Sequence, residues 1–113
     1  MRYLRICKNR IPNNQLVYIS GQITGLDLKE AKAKFDKAEA LLFEKGYKPL
    51  NPMKVNPPMC GKNWKEYMLD DIILLFKCDV IYLLGNWQAS KGARIEHFIA
   101  NEMGMTILTE QDL

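Results

Sequence analysis

Apolar residues recur along this chain in two rhythms, helical spacing in three long stretches and near-continuous runs in four short ones. Leu16–Ser20 (LVYIS) is a β-branched run closed by Gly21, which predicts a buried first strand. Asp27 opens a helix with Glu30 three residues on as a capping box, and Gly46 stops it. Leu28, Ala31, Phe35, Ala38 and Leu42 form its apolar face. Residues 47–50 predict a shorter second strand. Residues 51–62 (NPMKVNPPMCGK) hold three of the five prolines, so no regular structure is expected there. Asn63 and Glu66 cap a second helix that runs to Lys77. Residues 79–84 (DVIYLL) read as a strand covered on both faces. Ser90 caps a third helix, Gly104 ends it, and residues 105–109 (MTILT) supply the last strand.

The order β-α-β-α-β-α-β with short connections implies a parallel sheet with right-handed crossovers. The expected fold class is α/β, a flavodoxin-like three-layer sandwich with a four-stranded sheet in the order 2-1-3-4. That order puts a switch point between the first and third strands, where ligands bind outside the carboxyl ends. Residues 21–26 and 85–89 both open there. Residues 1–15 read as a separate basic arm and residues 16–113 as the single domain.

Two carboxylates break the helical pattern. In the second helix Trp64, Tyr67, Met68, Ile72 and Leu75 share a stripe, and at 100° per residue Asp71 falls near its middle while Asp70 points away. In the third helix Gly92, Ala93, Ile99, Ala100 and Met103 form the packing face, with Glu96 among them. An inward carboxylate is costly unless paired, so two of them point to a site. Glu96 lies too deep in its helix for a first-turn acidic residue. Its structural alternative is an ion pair with Arg94 or Lys91, both of which project from other faces. Asp71 has the alternative of capping a neighbouring loop, and Asp79 is most simply structural.

Other candidates are weaker. Gly21-Gln22-Ile23-Thr24-Gly25 follows a strand and precedes a helix, a setting in which backbone amides and the Thr24 hydroxyl can hold a phosphate or sugar hydroxyl. It matches neither a Walker loop nor a dinucleotide fingerprint, and tight-turn glycines need no ligand. Tyr18 on the first strand reads, on its face, as a core aromatic with a bonded hydroxyl. Trp87 stands in the loop at the crevice, positioned to stack on a base or to close over the helix start. His97 points about 100° from Glu96 and reads as surface or interface. The methionines read as helical core filler.

Composition narrows the partners. The chain has 113 residues, 48% of them hydrophobic, which suits one domain with a modest core. No run of about 18 apolar residues is present, so no membrane span is expected. Net charge is +3, with Arg2, Arg5, Lys8 and Arg10 all in the first ten positions. The body is therefore near neutral, which makes nucleic acid an unexpected partner and a small phosphorylated molecule an acceptable one. Cys7, Cys60 and Cys78 are odd in number, widely spaced and accompanied by one histidine. They match no zinc pattern and read as reduced thiols of a cytoplasmic protein. A second apolar stripe, Leu69, Ile73 and Phe76, runs along the far side of the second helix and points to a homodimer or to cover by the arm.

Taken jointly, Tyr18-Ile19-Ser20-Gly21 after the first strand, Asp71 eight residues before Asp79, and Ser90-Lys91-Gly92 leading to Glu96 resemble the nucleoside 2-deoxyribosyltransferase superfamily. The resemblance runs from about Val17 to Thr109, and it is greatest with a bacterial and phage branch that carries YISGxITG and WxxSxGAxxE. It implies cleavage of the N-glycosidic bond of 2′-deoxynucleosides or their 5′-monophosphates without metal or organic cofactor. By position it makes Glu96 the nucleophile, Asp71 the group that holds or protonates the leaving base, and Tyr18 the residue that orients Glu96. Ser20, Gly21, Gln22, Ile23, Thr24 and Trp87 would line the substrate, and Ser90 and Gly92 would meet its sugar or phosphate end. Ser90, six positions before the nucleophile, resembles the deoxynucleoside-monophosphate hydrolases rather than the transferases, which carry an acid there. Family members usually continue past the fourth strand with a segment that completes the neighbouring subunit's site. Two other classes remain: a nucleotide sensor or phage accessory protein that keeps the pocket without turnover, and an interaction protein whose basic arm grips nucleic acid.

Overall fold

The computed structural model describes residues 15–57 and 61–113. Four strands, β1 (Leu16–Ser20), β2 (Lys48–Leu50), β3 (Val80–Leu83) and β4 (Thr106–Thr109), form one parallel sheet in the order β2-β1-β3-β4. The α/β class and strand order match the reading of the sequence. Four helices accompany them: α1 (Leu28–Glu44), α2 (Pro52–Val55), α3 (Trp64–Phe76) and α4 (Lys91–Glu102). Single 3-10 turns stand at Trp87–Ala89 and Glu110–Asp112. The predicted arm lies outside the described residues apart from Gln15, as do Cys7 and Cys60.

Strand alternation divides the core in two. Val17 and Ile19 of β1, with Val80 and Tyr82 of β3, pack on Ala31, Phe35, Ala38 and Leu42 of α1. Tyr18, Ile81 and Leu83 face the opposite way, toward Leu75 of α3 and Ala100 of α4. Every residue of β3 is buried, as a strand covered on both faces must be. Ser20 shares the parity of Tyr18, so both hydroxyls of β1 point into the α3–α4 layer. Cys78 in that layer is a free thiol, and burial pushes it up to about 12, which keeps it inert.

Caps set the helix boundaries. The Asp27 carboxylate accepts from the Lys29 and Glu30 amides, and Asn63 and Glu66 form a reciprocal capping box at α3. Glu30 does not return to the cap; it sits 3.9 Å from Lys34, one turn on. Gly46 and Gly104 lie just past α1 and α4 with φ of 94° and 74°, a left-handed conformation that stops a helix.

Two expectations need correction. The proline-rich segment contains a helical turn, α2, because Pro52 is tolerated in its first turn and the Asn51 side chain caps the Met53 amide. Asn51 is buried and also donates to Asp36 and Glu39, and Lys54 adds an ion pair to Glu39 at 2.9 Å. The segment is therefore tied to α1. Leu28 stands at 52% exposure and Met103 at 43%, since each lies at a helix end beyond the edge of the sheet's cover. The Leu69, Ile73 and Phe76 stripe is exposed, so nothing among the described residues covers it.

Candidate active site

Glu96 is 5% exposed although it carries a carboxylate, because its helical phase turns it toward the sheet with Ala93 and Ala100. Its two oxygens are held separately. The Tyr18 hydroxyl donates to Oε2 at 2.7 Å and the Ser20 hydroxyl donates to Oε1 at 2.7 Å. Burial drives its pKa from 4.5 to about 7, against the two hydroxyls, which favour the charged form. Tyr18 itself is pushed well above its ordinary range by burial and by the adjacent Glu96, so its hydroxyl stays a donor.

The ion pairs considered for Glu96 are not made. Lys91 holds its ammonium 4.7 Å from the centre of the Trp64 ring, and Arg94 donates to the Gln88 carbonyl at 2.8 Å.

Asp71 lies on the adjacent helix, one turn past Tyr67 and two past Trp64. Its Oδ1 accepts from the Asn56 amide at 2.9 Å. Burial raises its pKa to about 6, opposed by Asn56 and Lys62. Asp70, its neighbour, faces Lys62 at 2.6 Å on the outer side.

Both carboxylates line one cavity of about 180 Å³ at the switch point between β1 and β3. Of the residues singled out by sequence, Tyr18, Gly21, Ile23, Thr24, Asp71, Ser90, Gly92 and Glu96 border it. Ser20 stands beneath, reaching the site through Glu96. The Ser90 hydroxyl accepts from the Ala93 amide as the α4 cap, and a β-carbon on Gly92 would come within 3.0 Å of the Met68 sulfur. Gly92 therefore allows α3 and α4 to close beside the cavity.

Two expected wall residues lie elsewhere. Gln22 does not border the cavity; its side chain donates to the Thr24 carbonyl and its amide to Asn86. Trp87 packs against the α3–α4 core and stacks 4.5 Å from the His97 ring, since its 3-10 turn directs the indole inward. His97 thereby finds its place as a packing partner.

The cavity gains walls that the sequence did not announce. Asn56, Trp64, Tyr67 and Met68 border it, with Phe35, Pro52 and Met53 on the α1 side. Trp64, Tyr67 and Met68 were legible as one stripe with Asp71, a stripe that fronts a cavity as well as a core. Asn56 carried no signal, because a polar residue in a proline-rich segment is ordinary. The wall, among the described residues, combines two carboxylates with no lysine, arginine or histidine. Among the described residues no three His, Cys, Asp or Glu side chains gather to hold a metal ion, and no helix is long and apolar enough to cross a membrane.

A family model for a domain of unknown function, DUF4406, matches residues 15–109. The chain belongs to the DUF4406 family. No curated protein matches it. Among solved structures, the 2-desoxiribosyltransferase from Leishmania mexicana matches this DUF4406 chain with a TM-score of 0.61 and 23% identity. The match covers 84% of this chain, which spans 63% of the length of that one. The likeness extends to the fold: the same parallel α/β sandwich carries the DUF4406 cavity at its switch point.

Proposed function

We propose that this DUF4406 protein cleaves the N-glycosidic bond of a 2′-deoxynucleoside or its 5′-monophosphate, with Glu96 as nucleophile. The observation that carries the reading is a buried carboxylate held by two hydroxyls, lining one cavity with a second carboxylate at the ligand-binding edge of the sheet. Similarity of fold to a deoxyribosyltransferase supports it.

In the proposed step one Glu96 oxygen attacks the anomeric carbon while the carbon–nitrogen bond breaks through an oxocarbenium-like transition state. The bonding pair leaves with the base, and Asp71 supplies the proton that the departing nitrogen takes up. The product is a deoxyribosyl ester of Glu96 and a free base. Water then opens the ester in a hydrolase, or a second base does so in a transferase. Tyr18 and Ser20 fix the direction of the attacking carboxylate, so little reorganisation is needed at the moment of reaction. Ser90 and Gly92 at the start of α4 face the sugar or phosphate end, and Gly21, Ile23 and Thr24 border the opposite side. Trp64 and Tyr67 offer aromatic surface to a base. Neither step calls on a metal or an organic cofactor. The exposed Leu69, Ile73 and Phe76 face suits a second copy of the chain, and the widely spaced thiols suit a reducing, cytoplasmic setting.

Chromatography of free base released from a panel of deoxynucleosides and their 5′-monophosphates, with and without an acceptor base, tests the reading. Release that Glu96→Gln abolishes is the expected result. Thermal stabilisation by a panel member with no release would replace an enzyme with a nucleotide sensor.

A further inference from the structure

Asn56 stands between two partners that leave its amide one orientation. Lys62 has only donors to offer, and its ammonium lies 2.6 Å from Asn56 Oδ1. The amide nitrogen must then face Asp71, to whose Oδ1 it donates at 2.9 Å. Lys62 is fixed in turn by Asp70 at 2.6 Å and by the Tyr67 ring, 4.7 Å from its ammonium. Asn56 itself follows directly after α2, which Asn51 and Lys54 tie to α1. A chain of charge and amide therefore runs from the surface to one oxygen of Asp71.

The geometry points to Asn56 and Lys62 as positioning residues that hold Asp71 Oδ1 as an acceptor and reserve Oδ2 for the proton exchanged with a ligand in the cavity. An oxygen that accepts an N–H bond is the poorer place for a proton, so a protonated Asp71 carries it on Oδ2. If the amide were free to turn, its oxygen would accept that proton's hydrogen bond and draw it away from the ligand. Lys62 prevents the turn. This role rests on the proposed glycosidic reaction for its use in catalysis, although the placement of the proton does not depend on it.

The titratable groups around Asp71 are Glu96 of α4, Tyr18 of β1, Tyr67 of α3, Lys62, and its outward-facing neighbour Asp70. Charge on Asp71 adds to the upward push on Glu96, so the two carboxylates share one electrostatic setting. Tyr18 and Ser20 favour charge on Glu96, whereas Asn56 and Lys62 favour charge on Asp71. The working state, Glu96 ionised and Asp71 protonated, is the minor arrangement of the single proton in the ligand-free protein, where Glu96 at about 7 outranks Asp71 at about 6, and it is lost when that proton leaves at higher pH. Removing the donor to Asp71 Oδ1 makes its proton harder to lose, so the alkaline limb of activity moves up.

The test uses the full chain with Asn56→Ala, Lys62→Met and the double variant. Base release is followed against pH, and the Asp71 carboxyl carbon is titrated by NMR in ligand-free, aspartate-labelled protein. Both single variants are expected to shift the Asp71 titration upward by roughly half to one pH unit, and the alkaline limb upward by a smaller amount because Glu96 holds most of the shared proton. The double variant is expected to shift less than the sum, since Lys62 acts partly through Asn56. Lower activity with the NMR titration and the alkaline limb unmoved would overturn the assignment, leaving Asn56 a packing residue only. Fully additive shifts would overturn the relay through Asn56. If wild-type protein releases no base while the NMR shifts appear, the positioning role stands and the glycosidic reading fails.

Discussion

Replacing Glu96 with glutamine is expected to make the protein more stable at alkaline pH while stopping the proposed reaction. The carboxylate sits at 5% exposure with a pKa raised from 4.5 to about 7. A raised folded value means that its contribution is fully present below the unfolded pKa and is lost as pH rises through about 7. At pH 8 the buried charge opposes folding by on the order of 3 kcal/mol, and at pH 5 by under about 1 kcal/mol. Glutamine keeps the shape and one oxygen acceptor. The Tyr18 and Ser20 hydroxyls then bond a neutral amide, one of them turning to accept, at a cost of about 1 kcal/mol. The balance is about 2 kcal/mol in favour of the variant at pH 8 and near zero at pH 5.

For a domain of this size about 2 kcal/mol corresponds to a rise of roughly 8 °C in Tm. Thermal melts of wild type and Glu96→Gln, run side by side at pH 5 and pH 8, read the difference directly. The comparison at two pH values isolates this group, because most other titrations are common to both proteins. Asp71 adds in the same direction, since losing the Glu96 charge relieves the repulsion between the two carboxylates. An equal loss of stability at both pH values would refute the reasoning, because it would mean that the wild-type carboxylate is not raised by burial. A variant that is both more stable at pH 8 and inactive would show the stability that a site gives up for its chemistry.

In the proposed reaction Asp71→Asn removes the proton supplied to the leaving base and is expected to lower base release about 10²- to 10⁴-fold, with substrates whose base departs without protonation losing least. Steady-state rates on a series of base leaving groups check this. Gly21→Ala places a β-carbon 2.6 Å from Leu84 Cδ1 and 2.9 Å from its Cβ, so urea unfolding should show a loss of about 1–3 kcal/mol. Ile73→Lys with Phe76→Lys, at 52% and 58% exposure, should leave the fold intact and reduce the mass seen by sedimentation if a second copy covers this face. Unchanged mass would exclude that face as the interface.

The sequence by itself determined the architecture, because its signals are local. Strand runs with period-2 or continuous apolar character, caps at Asp27, Asn63 and Ser90, and stops at Gly46 and Gly104 each act within a few residues. The order of elements then leaves few topologies, and right-handed crossovers give the sheet observed. Glu96 and Asp71 were legible for a related reason: a carboxylate on an apolar stripe violates a one-helix pattern that needs no tertiary information. Beyond Tyr18, which only the family resemblance joined to Glu96, the sequence leaves open which groups meet those carboxylates, since their partners lie 76 and 78 positions away for Glu96 and 15 away for Asp71. Only the folded sheet sets the register that brings Ser20 and Tyr18 under α4. Local pattern also misjudged Trp87 and Gln22, which belong to crevice loops by position but turn toward the core and toward their own turn. Asn56 is the clearest case. It is one polar residue among prolines until α2 is fastened to α1 and Lys62 reaches back to it. Side-chain direction within an irregular segment is decided by the surfaces it lands on, and those surfaces exist only once the chain has folded.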